Sequence, residues 1–302
     1  MTPRQADRHP NQRPLSSLPA ELRRTTVPDP VRRWVRATTG ARVEGVRRLP
    51  GASSTAVHGL RLSDGRRVVL RRYLWPGFLE DEPEAPAREV DALVFAHDHG
   101  LPVPEVVAAD VTGRTVGDGV PALLMSFLPG RAIAAPDLER LAEGAARIHA
   151  VGSGPPGHTY FRWYDPASTR PPAGAHRPDL WEAAIERWQG DLPPFTATLV
   201  HRDFHPGNVL WSRGRLTGIV DWANACHGPA GCDIAHCRWN LIELSGFDAA
   251  DRFQAAYERM TGTPVDPFWE LGSELEHGPS AWTPPAAVTR AERRLAAALA
   301  AG

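Results

Sequence analysis

Three polar side chains in one short segment have the types and spacing that phosphoryl transfer requires. In LVHRDFHPGNVLWSRGRLTGIVDWAN, residues 199–224, Asn208 lies five positions after Asp203, and Asp221 lies thirteen positions after Asn208. A carboxylate can accept the proton of an attacking hydroxyl, while an amide oxygen and a second carboxylate can hold magnesium ions against nucleotide phosphates. The segment therefore predicts a phosphoryl-transfer centre with Asp203 as base and with Asn208 and Asp221 as Mg²⁺ ligands.

Short apolar stretches flank these polar residues and predict the elements that position them. Residues 198–200, 209–211 and 216–220 are typical of short strands, which would fix the ends of the catalytic loop. Pro206 and Gly207 form a turn signal just before Asn208. The predicted turn brings Asn208 back beside Asp203.

The same segment carries the signature of a known family. It resembles the aminoglycoside phosphotransferase and choline kinase group, which are small-molecule kinases with a protein-kinase-like fold and the patterns H-G-D-x-H-P-x-N and D-[FW]-[ED]. The matching positions are His201, Asp203, His205, Pro206, Asn208, Asp221 and Trp222. Arg202 stands at the usual glycine and Ala223 at the usual acidic residue. A further resemblance, to G-x-P-x-x-D-[LI]-A over residues 228–235, places Asp233 at the aspartate that steadies the loop.

The resemblance implies an α+β, protein-kinase-like fold and a reaction. A small N-lobe of five antiparallel strands and one main helix is expected to bind nucleotide, within residues 28–127. A larger, mainly helical C-lobe over residues 128–302 is expected to carry catalysis and acceptor binding. The implied donor is ATP, with GTP as an alternative, the implied cofactor is Mg²⁺, and the implied partner is a small molecule with a hydroxyl group.

The N-lobe residues that would bind nucleotide are also implied by the resemblance. The chain has no lysine, since all 34 basic residues are arginine, so Arg71 in the strand VVLRRYL aligns with the phosphate-contacting lysine. Strand alternation puts Arg72 on the opposite face. Glu89 is expected to pair with the strand cation, although Glu84 and Asp91 are competing candidates. The remaining nucleotide contacts are expected at Ser53 and Ser54 in the loop PGASSTA and at Met125 and Phe127 in the inter-lobe strand.

Composition excludes several other classes of protein. No apolar run is long enough to span a bilayer, and the polar start MTPRQADRHPNQRP is no signal peptide, so a cytoplasmic protein without a membrane partner is expected. A net charge of −1 without interleaved basic and aromatic residues predicts no nucleic-acid partner. Residues 1–27 are polar, proline-rich and without periodicity, and are predicted to be disordered.

The C-terminal third contains a candidate acceptor site. Seven acidic residues against two arginines between Asp248 and Glu276 predict a surface for a cationic alcohol such as an aminoglycoside, with Trp269 and Trp282 adding cation–π contacts. The competing interpretation is a solvated helix face.

Residues 226–237 and His205 are the candidates for a metal site. Residues 226–237 hold three cysteines and two histidines without a paired C-x-x-C, so buried or loop thiols are favoured over zinc. His205 is likewise interpreted as a loop residue rather than a metal ligand.

The alternatives to an antibiotic-modifying enzyme are a metabolic kinase of choline, homoserine, a sugar or another alcohol, and a catalytically weak nucleotide-binding protein.

Overall fold

We analysed a computed structural model of the chain. The structure describes residues 20–49, 54–133, 135–163, 167, 169–172, 174–277 and 285–302. Over these residues the fold is a mixed α+β arrangement, as the sequence predicted. The chain divides into two compact units. The sheet unit contains the described residues up to Ala132 together with Gly207–Ala225, and the helical unit contains Ile133–Pro206 together with Cys226–Gly302.

A five-stranded antiparallel sheet forms the sheet unit. Its spatial strand order is β1-β2-β3-β5-β4. The strands are β1 (Val43–Arg48), β2 (Ala56–Leu62), β3 (Arg67–Arg72), β4 (Val106–Asp110) and β5 (Ala122–Ser126). The turn signal Ser63-Asp64-Gly65 predicts a hairpin, and β2 and β3 form it as an antiparallel pair. Its turn ends in Gly65, whose positive φ of 84° suits a residue without a side chain.

Helix α1 (Asp29–Thr39) covers one face of this sheet. Its apolar residues Val31, Trp34 and Val35 are buried against sheet residues that include Leu60 and Leu70. Burying each large apolar side chain contributes about 1.5–3 kcal/mol, so this layer is a main source of the unit's stability. The opposite face of β3, which carries Arg71, stays available for polar contacts.

Two further helices lie between β3 and β4. They are α2 (Pro76–Asp81) and α3 (Ala85–Asp98). The main N-lobe helix, for which the sequence pattern predicts residues 82–99, begins later at Ala85, and the pattern does not predict α2. Pro83 and Pro86 explain the break, because proline lacks the backbone N–H of a continuous helix.

The helical unit contains α4 (Leu138–His149), α5 (Pro178–Gln189), α6 (Ala230–Ser245), α7 (Phe247–Thr261), α8 (Phe268–His277) and α9 (Pro285–Ala301). The short strands β6 (Ala197–Val200) and β9 (Cys226–Pro229) pair antiparallel within it, and β9 was not predicted. Trp181, Leu271 and Leu295 belong to a core cluster shared by α5, α8 and α9. Strands β7 (Val209–Ser212) and β8 (Arg215–Ile219) form a hairpin.

That hairpin corrects the predicted domain division. Gly207–Ala225 belongs to the sheet unit, whereas the sequence placed it in a C-terminal lobe over 128–302. The first boundary between the two units lies after Ala132, whereas the sequence placed it after residue 127. Backbone hydrogen bonds explain the grouping. Trp211 and Arg131 exchange two of them, and the Ile219 N–H donates to the Pro102 carbonyl over 2.7 Å.

Part of the segment that the sequence predicted to be disordered is folded. Residues 1–19 lie outside the described residues, but Ala20–Arg23 form a 3₁₀ turn. Leu22 is fully buried in a cluster with Ala56. The Leu22 carbonyl accepts a hydrogen bond from Arg48 Nε over 2.8 Å. An apolar anchor of this kind gives no periodicity, which is why the sequence pattern missed it.

Candidate active site

Arg71 is the centre of a charged group in the sheet unit. The register of β3 against β2 and β5 sets Arg71 opposite Val57 and Leu123. Its Nη1 lies 2.6 Å from Asp221 Oδ1 and 3.1 Å from Glu89 Oε1, and the Arg71 side chain is only 8% exposed. One guanidinium thus bridges two carboxylates that lie far apart in the sequence. The pairing favours Glu89 over Glu84 and Asp91 as the partner of the strand cation.

Glu89 is held by a second group from the same strand. It lies on α3 with 1% of its surface exposed, and the Tyr73 hydroxyl donates a hydrogen bond to its Oε2. Burial raises the pKa of Glu89, although the nearby Arg71 acts in the opposite direction. The carboxylate therefore depends on Arg71 and Tyr73 to remain ionised. Tyr73 has no counterpart among the residues that the sequence motifs singled out.

Asp221 follows β8 in an uncommon backbone conformation. Its φ is +72°, which is strained for a residue with a side chain and typical of functional sites. The Asp221 side chain is 33% exposed, so it remains accessible to a ligand. The Val220 N–H donates to the Asn208 carbonyl over 2.9 Å, which links the two predicted metal ligands through backbone. Both candidate ligands thus belong to the sheet unit.

The loop after Asp221 is fixed to α3 by Arg88. The Arg88 Nε donates to the Ala223 carbonyl over 2.5 Å, and its Nη2 pairs with Glu82 at 2.8 Å. Ala223 therefore contributes a backbone acceptor at the motif position where an acidic side chain is usual. Arg72, on the other face of β3, is buried and pairs with Asp118 at 2.8 Å.

The remaining predicted nucleotide contacts have only partial structural support. Met125 is buried in β5 opposite Val69, and Phe127 follows the strand with the Arg67 guanidinium 3.5 Å from its ring centroid. Ser54 is partly buried at a bend before β2. Ser53 lies outside the described residues. The nucleotide roles of these four residues remain predictions.

Asp203 lies in the helical unit, where imidazoles surround it. His236 Nε2 is 3.0 Å from Asp203 Oδ1, and His205 Nε2 is 3.7 Å from the same oxygen. Burial opposes ionisation of Asp203, but His205, His236 and His201 outweigh it and hold the pKa of Asp203 well below its ordinary value. The carboxylate is therefore ready to accept a proton at neutral pH.

Asp233 steadies the backbone before Asp203, as the sequence predicted. It is fully buried and accepts hydrogen bonds from the backbone N–H groups of His201 and Arg202, over 2.7 and 2.6 Å. His149 Nε2 lies 3.1 Å from Asp233 Oδ2, and His149 Nδ1 lies 2.8 Å from the Tyr257 hydroxyl. His149 therefore links Asp233 to Tyr257 within the buried part of the helical unit.

Arg202 has the positive φ, 68°, that accounts for a glycine being usual at this position. Its guanidinium carbon lies 4.5 Å from the ring centroid of Tyr160 and 4.8 Å from that of Trp163. The Arg202 Nη1 donates to the Phe161 carbonyl over 2.7 Å. Arg202 thereby fixes the segment 160–163 next to the catalytic loop of the same unit.

A cavity opens beside this group in the helical unit. It encloses about 300 Å³ of empty space, part of it open to solvent. Its walls include Tyr160, Trp163, Arg202, His236, Trp269 and Glu276. Glu276 Oε2 lies 3.9 Å from Arg202 Nη2, and its Oε1 accepts a hydrogen bond from the Trp163 N–H. Burial raises the pKa of Glu276 to about 7 and outweighs the effect of Arg202.

The predicted acidic surface between Asp248 and Glu276 is largely neutralised. Glu270 and Asp251 both pair with Arg238, at 2.5 and 2.9 Å. Glu274 is buried and pairs with Arg294. Trp282 lies outside the described residues. Trp269 and Glu276 are the predicted acceptor residues that the structure brings to the cavity.

None of the three cysteines, all of which the structure describes, forms a disulfide; Cys226 and Cys237 are buried and Cys232 is partly exposed. Within the described ranges, no helix combines the length and the apolar character that a membrane crossing requires.

A comparison with protein-family models matches residues 45–271 to the phosphotransferase enzyme family. The match spans most of the chain and both units. The chain belongs to the phosphotransferase enzyme family. The matched range includes the motif residues Asp203, Asn208 and Asp221.

Curated relatives of this phosphotransferase include kinases of different small molecules. A homoserine kinase from Gluconacetobacter diazotrophicus is 31% identical over 181 residues, which cover 54% of this chain and 54% of that protein. A hygromycin-B 4-O-kinase from Escherichia coli is 31% identical over 78 residues, covering 26% and 23%. The chain thus spans about half the length, or less, of these relatives.

Solved structures support the fold of the phosphotransferase. A thermostable mutant of aminoglycoside phosphotransferase APH(4)-Ia, in a ternary complex with ADP and hygromycin B, has a TM-score of 0.61 at 19% identity, covering 90% of this chain and 98% of that one. Macrolide 2'-phosphotransferase MphH from Brachybacterium faecium has a TM-score of 0.55 at 19% identity, covering 82% and 88%. The predicted protein-kinase-like fold is confirmed.

Proposed function

We propose that the protein is an ATP-dependent phosphotransferase that modifies a hydroxyl group of a small molecule. The observation that carries this proposal is the Arg71 guanidinium bridging Glu89 and Asp221. A strand cation fixed by a helix carboxylate is the kinase arrangement for holding nucleotide phosphates. Arginine keeps its charge at all relevant pH values and can fork onto phosphate oxygens, so the absence of lysine does not remove the function.

The donor set of Asn208 and Asp221 suits Mg²⁺, which prefers carboxylate and amide oxygens. The partly exposed Asp221 carboxylate would bind the ion together with Asn208. When bound, Mg²⁺ neutralises phosphate charge that develops during transfer. Arg71, held in place by Glu89, would hold the α- and β-phosphates.

Asp203 is the proposed general base. His236 Nε2 lies 3.0 Å from Asp203 Oδ1 and would hold the carboxylate while it accepts the acceptor's hydroxyl proton. Deprotonation of that hydroxyl produces the nucleophile that attacks the γ-phosphorus. The low pKa of Asp203 keeps the carboxylate ionised before the acceptor binds.

The acceptor is proposed to be a small alcohol carrying both an ammonium and a carboxylate group. The cavity next to His236 presents the Glu276 carboxylate and the Arg202 guanidinium, which suit those two opposite charges. Homoserine, the substrate named for several relatives, has this chemistry and a hydroxyl group. An aminoglycoside such as hygromycin B is the second candidate, because a relative is named for it.

The nucleotide part of the proposal is tested by thermal unfolding of the full chain with and without Mg-ATP. We expect Mg-ATP to raise the melting temperature of the wild type, and Asp221→Ala to abolish that shift. Absence of any shift in the folded wild type would favour a protein without a nucleotide function. An equal shift in Asp221→Ala would contradict the metal assignment.

The acceptor part is tested with a matched pair of alcohols. Homoserine and 3-amino-1-propanol share a hydroxyl and an amine, but only homoserine has a carboxylate. We expect mass spectrometry to detect a phosphorylated product from homoserine, and a much higher KM for 3-amino-1-propanol. Equal KM values, or turnover of hygromycin B alone, would reject the zwitterionic acceptor and leave the phosphotransferase proposal intact.

A further inference from the structure

The side chains around Asp203 have the composition of a transition-metal site. Asp203 and His205 come from the loop after β6, and His236 comes from α6. One ligand atom of each, a carboxylate oxygen or an imidazole nitrogen, lies within 4.8 Å of the other two. Two imidazoles and one carboxylate are a donor set that zinc, cobalt, nickel and copper ions accept readily.

The distances also approach those of a coordinated ion. Two donors that are each about 2.0–2.1 Å from a tetrahedral Zn²⁺ lie roughly 3.3 Å apart. Asp203 Oδ1 is 3.0 Å from His236 Nε2 and 3.7 Å from His205 Nε2. The two distances from Asp203 Oδ1 therefore lie on either side of the separation that a tetrahedral ion requires.

The elements behind these ligands restrict their movement. His236 is 4% exposed and lies one helical turn before Asn240, whose Nδ2 is 3.1 Å from the His236 carbonyl. The backbone before Asp203 is fixed by buried Asp233. Asp203 and His205 keep 17% and 19% of their side-chain surface exposed, which leaves an entry path and an open coordination position.

From these observations we propose that Asp203, His205 and His236 bind a borderline divalent ion of the Zn²⁺ class. Nitrogen donors distinguish this site from the oxygen donors Asn208 and Asp221, which suit Mg²⁺. Binding uses the carboxylate that the phosphotransferase needs as its base. The expected consequence, inhibition by Zn²⁺ at constant Mg²⁺, rests on the proposed function, whereas the binding itself does not.

The binding test uses Co²⁺ as a visible probe. Tag-free, full-length protein without nucleotide is titrated with CoCl₂ in excess Mg²⁺, and the d–d absorption and the binding heat are recorded. We expect saturable binding of one ion with a low-coordinate d–d spectrum and no thiolate-to-cobalt band. That band would place the ion on Cys226, Cys232 or Cys237 and overturn the proposal, as would absence of saturable binding.

Variants identify the ligands. Changes to outer-shell partners already alter metal affinity by about 10–100-fold, so His205→Ala and His236→Ala should each weaken Co²⁺ binding by at least about tenfold. His97→Ala, at an exposed histidine of α3, is the matched control and should bind as the wild type does. His205 is the more exposed ligand, so its variant remains informative if His236→Ala fails to fold. Unchanged affinity in folded His205→Ala would overturn the proposed ligand set.

Activity separates the metal site from the proposed base. If Co²⁺ binds as described but Zn²⁺ leaves turnover unchanged, the metal site stands and the role of Asp203 as base is wrong. If Zn²⁺ inhibits the wild type and His205→Ala equally, inhibition arises elsewhere and contradicts the consequence drawn for this site.

Discussion

Two regions of the molecule surround their carboxylates with different kinds of side chain. In the sheet unit, one guanidinium contacts both Glu89 and Asp221, and its charge does not depend on pH. In the helical unit, Asp203 is surrounded by imidazoles, which in general gain and lose protons near neutrality. The difference suits the proposed roles, since phosphate binding needs a constant cation and proton abstraction needs partners that tolerate a change of charge.

The largest expected effect is the loss of turnover when Asp203, in the helical unit, is replaced. Asp203→Asn removes the proposed base but keeps the size of the side chain and its place beside His236. We expect kcat to fall by about 10²–10⁴-fold, with nucleotide affinity nearly unchanged, because the loss arises in the transition state. Steady-state kinetics with a turned-over acceptor measure this, and near-normal turnover would show that Asp203 is misassigned.

The next largest effect concerns Arg71, whose guanidinium stays charged at all relevant pH values. Arg71→Ala leaves buried Glu89 without its counter-charge, and removing one partner of a buried pair costs about 3–5 kcal/mol of unfolding free energy. The nucleotide KM should also rise. Arg71→Lys should recover part of both properties, because it restores a charge without the guanidinium fork.

Arg61→Ala is the control for Arg71→Ala. Arg61 pairs with Glu44 at the surface, where the two side chains are 61% and 42% exposed, and exposed ion pairs contribute little. Arg72 is unsuitable as this control, because it is buried and pairs with Asp118. This holds even though strand alternation puts Arg72 on the other face of β3. Equal losses in Arg71→Ala and Arg61→Ala would contradict the special role of the bridging guanidinium.

A third test examines how the protonation of Glu276, in the helical unit, changes the free energy of unfolding with pH. Its pKa in the folded chain, about 7, lies above its unfolded value near 4.5, so the folded chain binds more protons between these pH values. The stabilisation from protonated Glu276 is fully present below pH 4.5 and is lost as pH rises through 7. At 1.36 kcal/mol per pKa unit, the loss is about 3 kcal/mol.

Urea unfolding across pH 4–8 measures this loss. Glu276→Gln should lack that part of the pH dependence, while Glu139→Gln, at an exposed residue, should behave as the wild type does. Parallel pH profiles for the wild type and Glu276→Gln would show that Glu276 titrates normally.

The smallest expected effect tests how the sheet unit holds Glu89. Tyr73→Phe removes the hydroxyl that donates to Glu89 and retains the ring. We expect a loss of about 2 kcal/mol of unfolding free energy, because a hydrogen bond to a charged, buried group is lost. The nucleotide KM should change less than in Arg71→Ala. A larger KM effect in Tyr73→Phe would mean that the tyrosine contacts the nucleotide directly.

Much of the local structure could be predicted from the sequence. The β2–β3 hairpin has a glycine turn signal, and α4 has apolar residues at helical spacing, so both were found within one or two residues. The Arg71–Glu89 pair followed from the family motif. These features depend on neighbours in the chain or on a conserved family register.

The partners of the site residues could not be predicted in the same way. His236 is 33 residues from Asp203, and its sequence signals, a place in the cysteine- and histidine-rich residues 226–237 and a position one helical turn after Asp233, do not point to Asp203. Tyr73 could have been inferred from its place two residues after Arg71 on the same strand face. The neutralisation of Glu270 and Glu274 required the packing of separate helices, because charge counts do not indicate which arginines lie opposite.

The grouping of Gly207–Ala225 with the sheet unit has a consequence for fragment engineering. A gene fragment ending at residue 132 would encode Arg71 and Glu89 but not Asp221, so Arg71 would lack one of its two carboxylate partners. The encoded polypeptide would also expose the backbone of Arg131 that pairs with Trp211. Each unit is assembled from separated stretches of the gene. A split reporter or a chimera of this protein therefore has to exchange the two segments of a unit together, since one crossover point cannot transfer either unit whole.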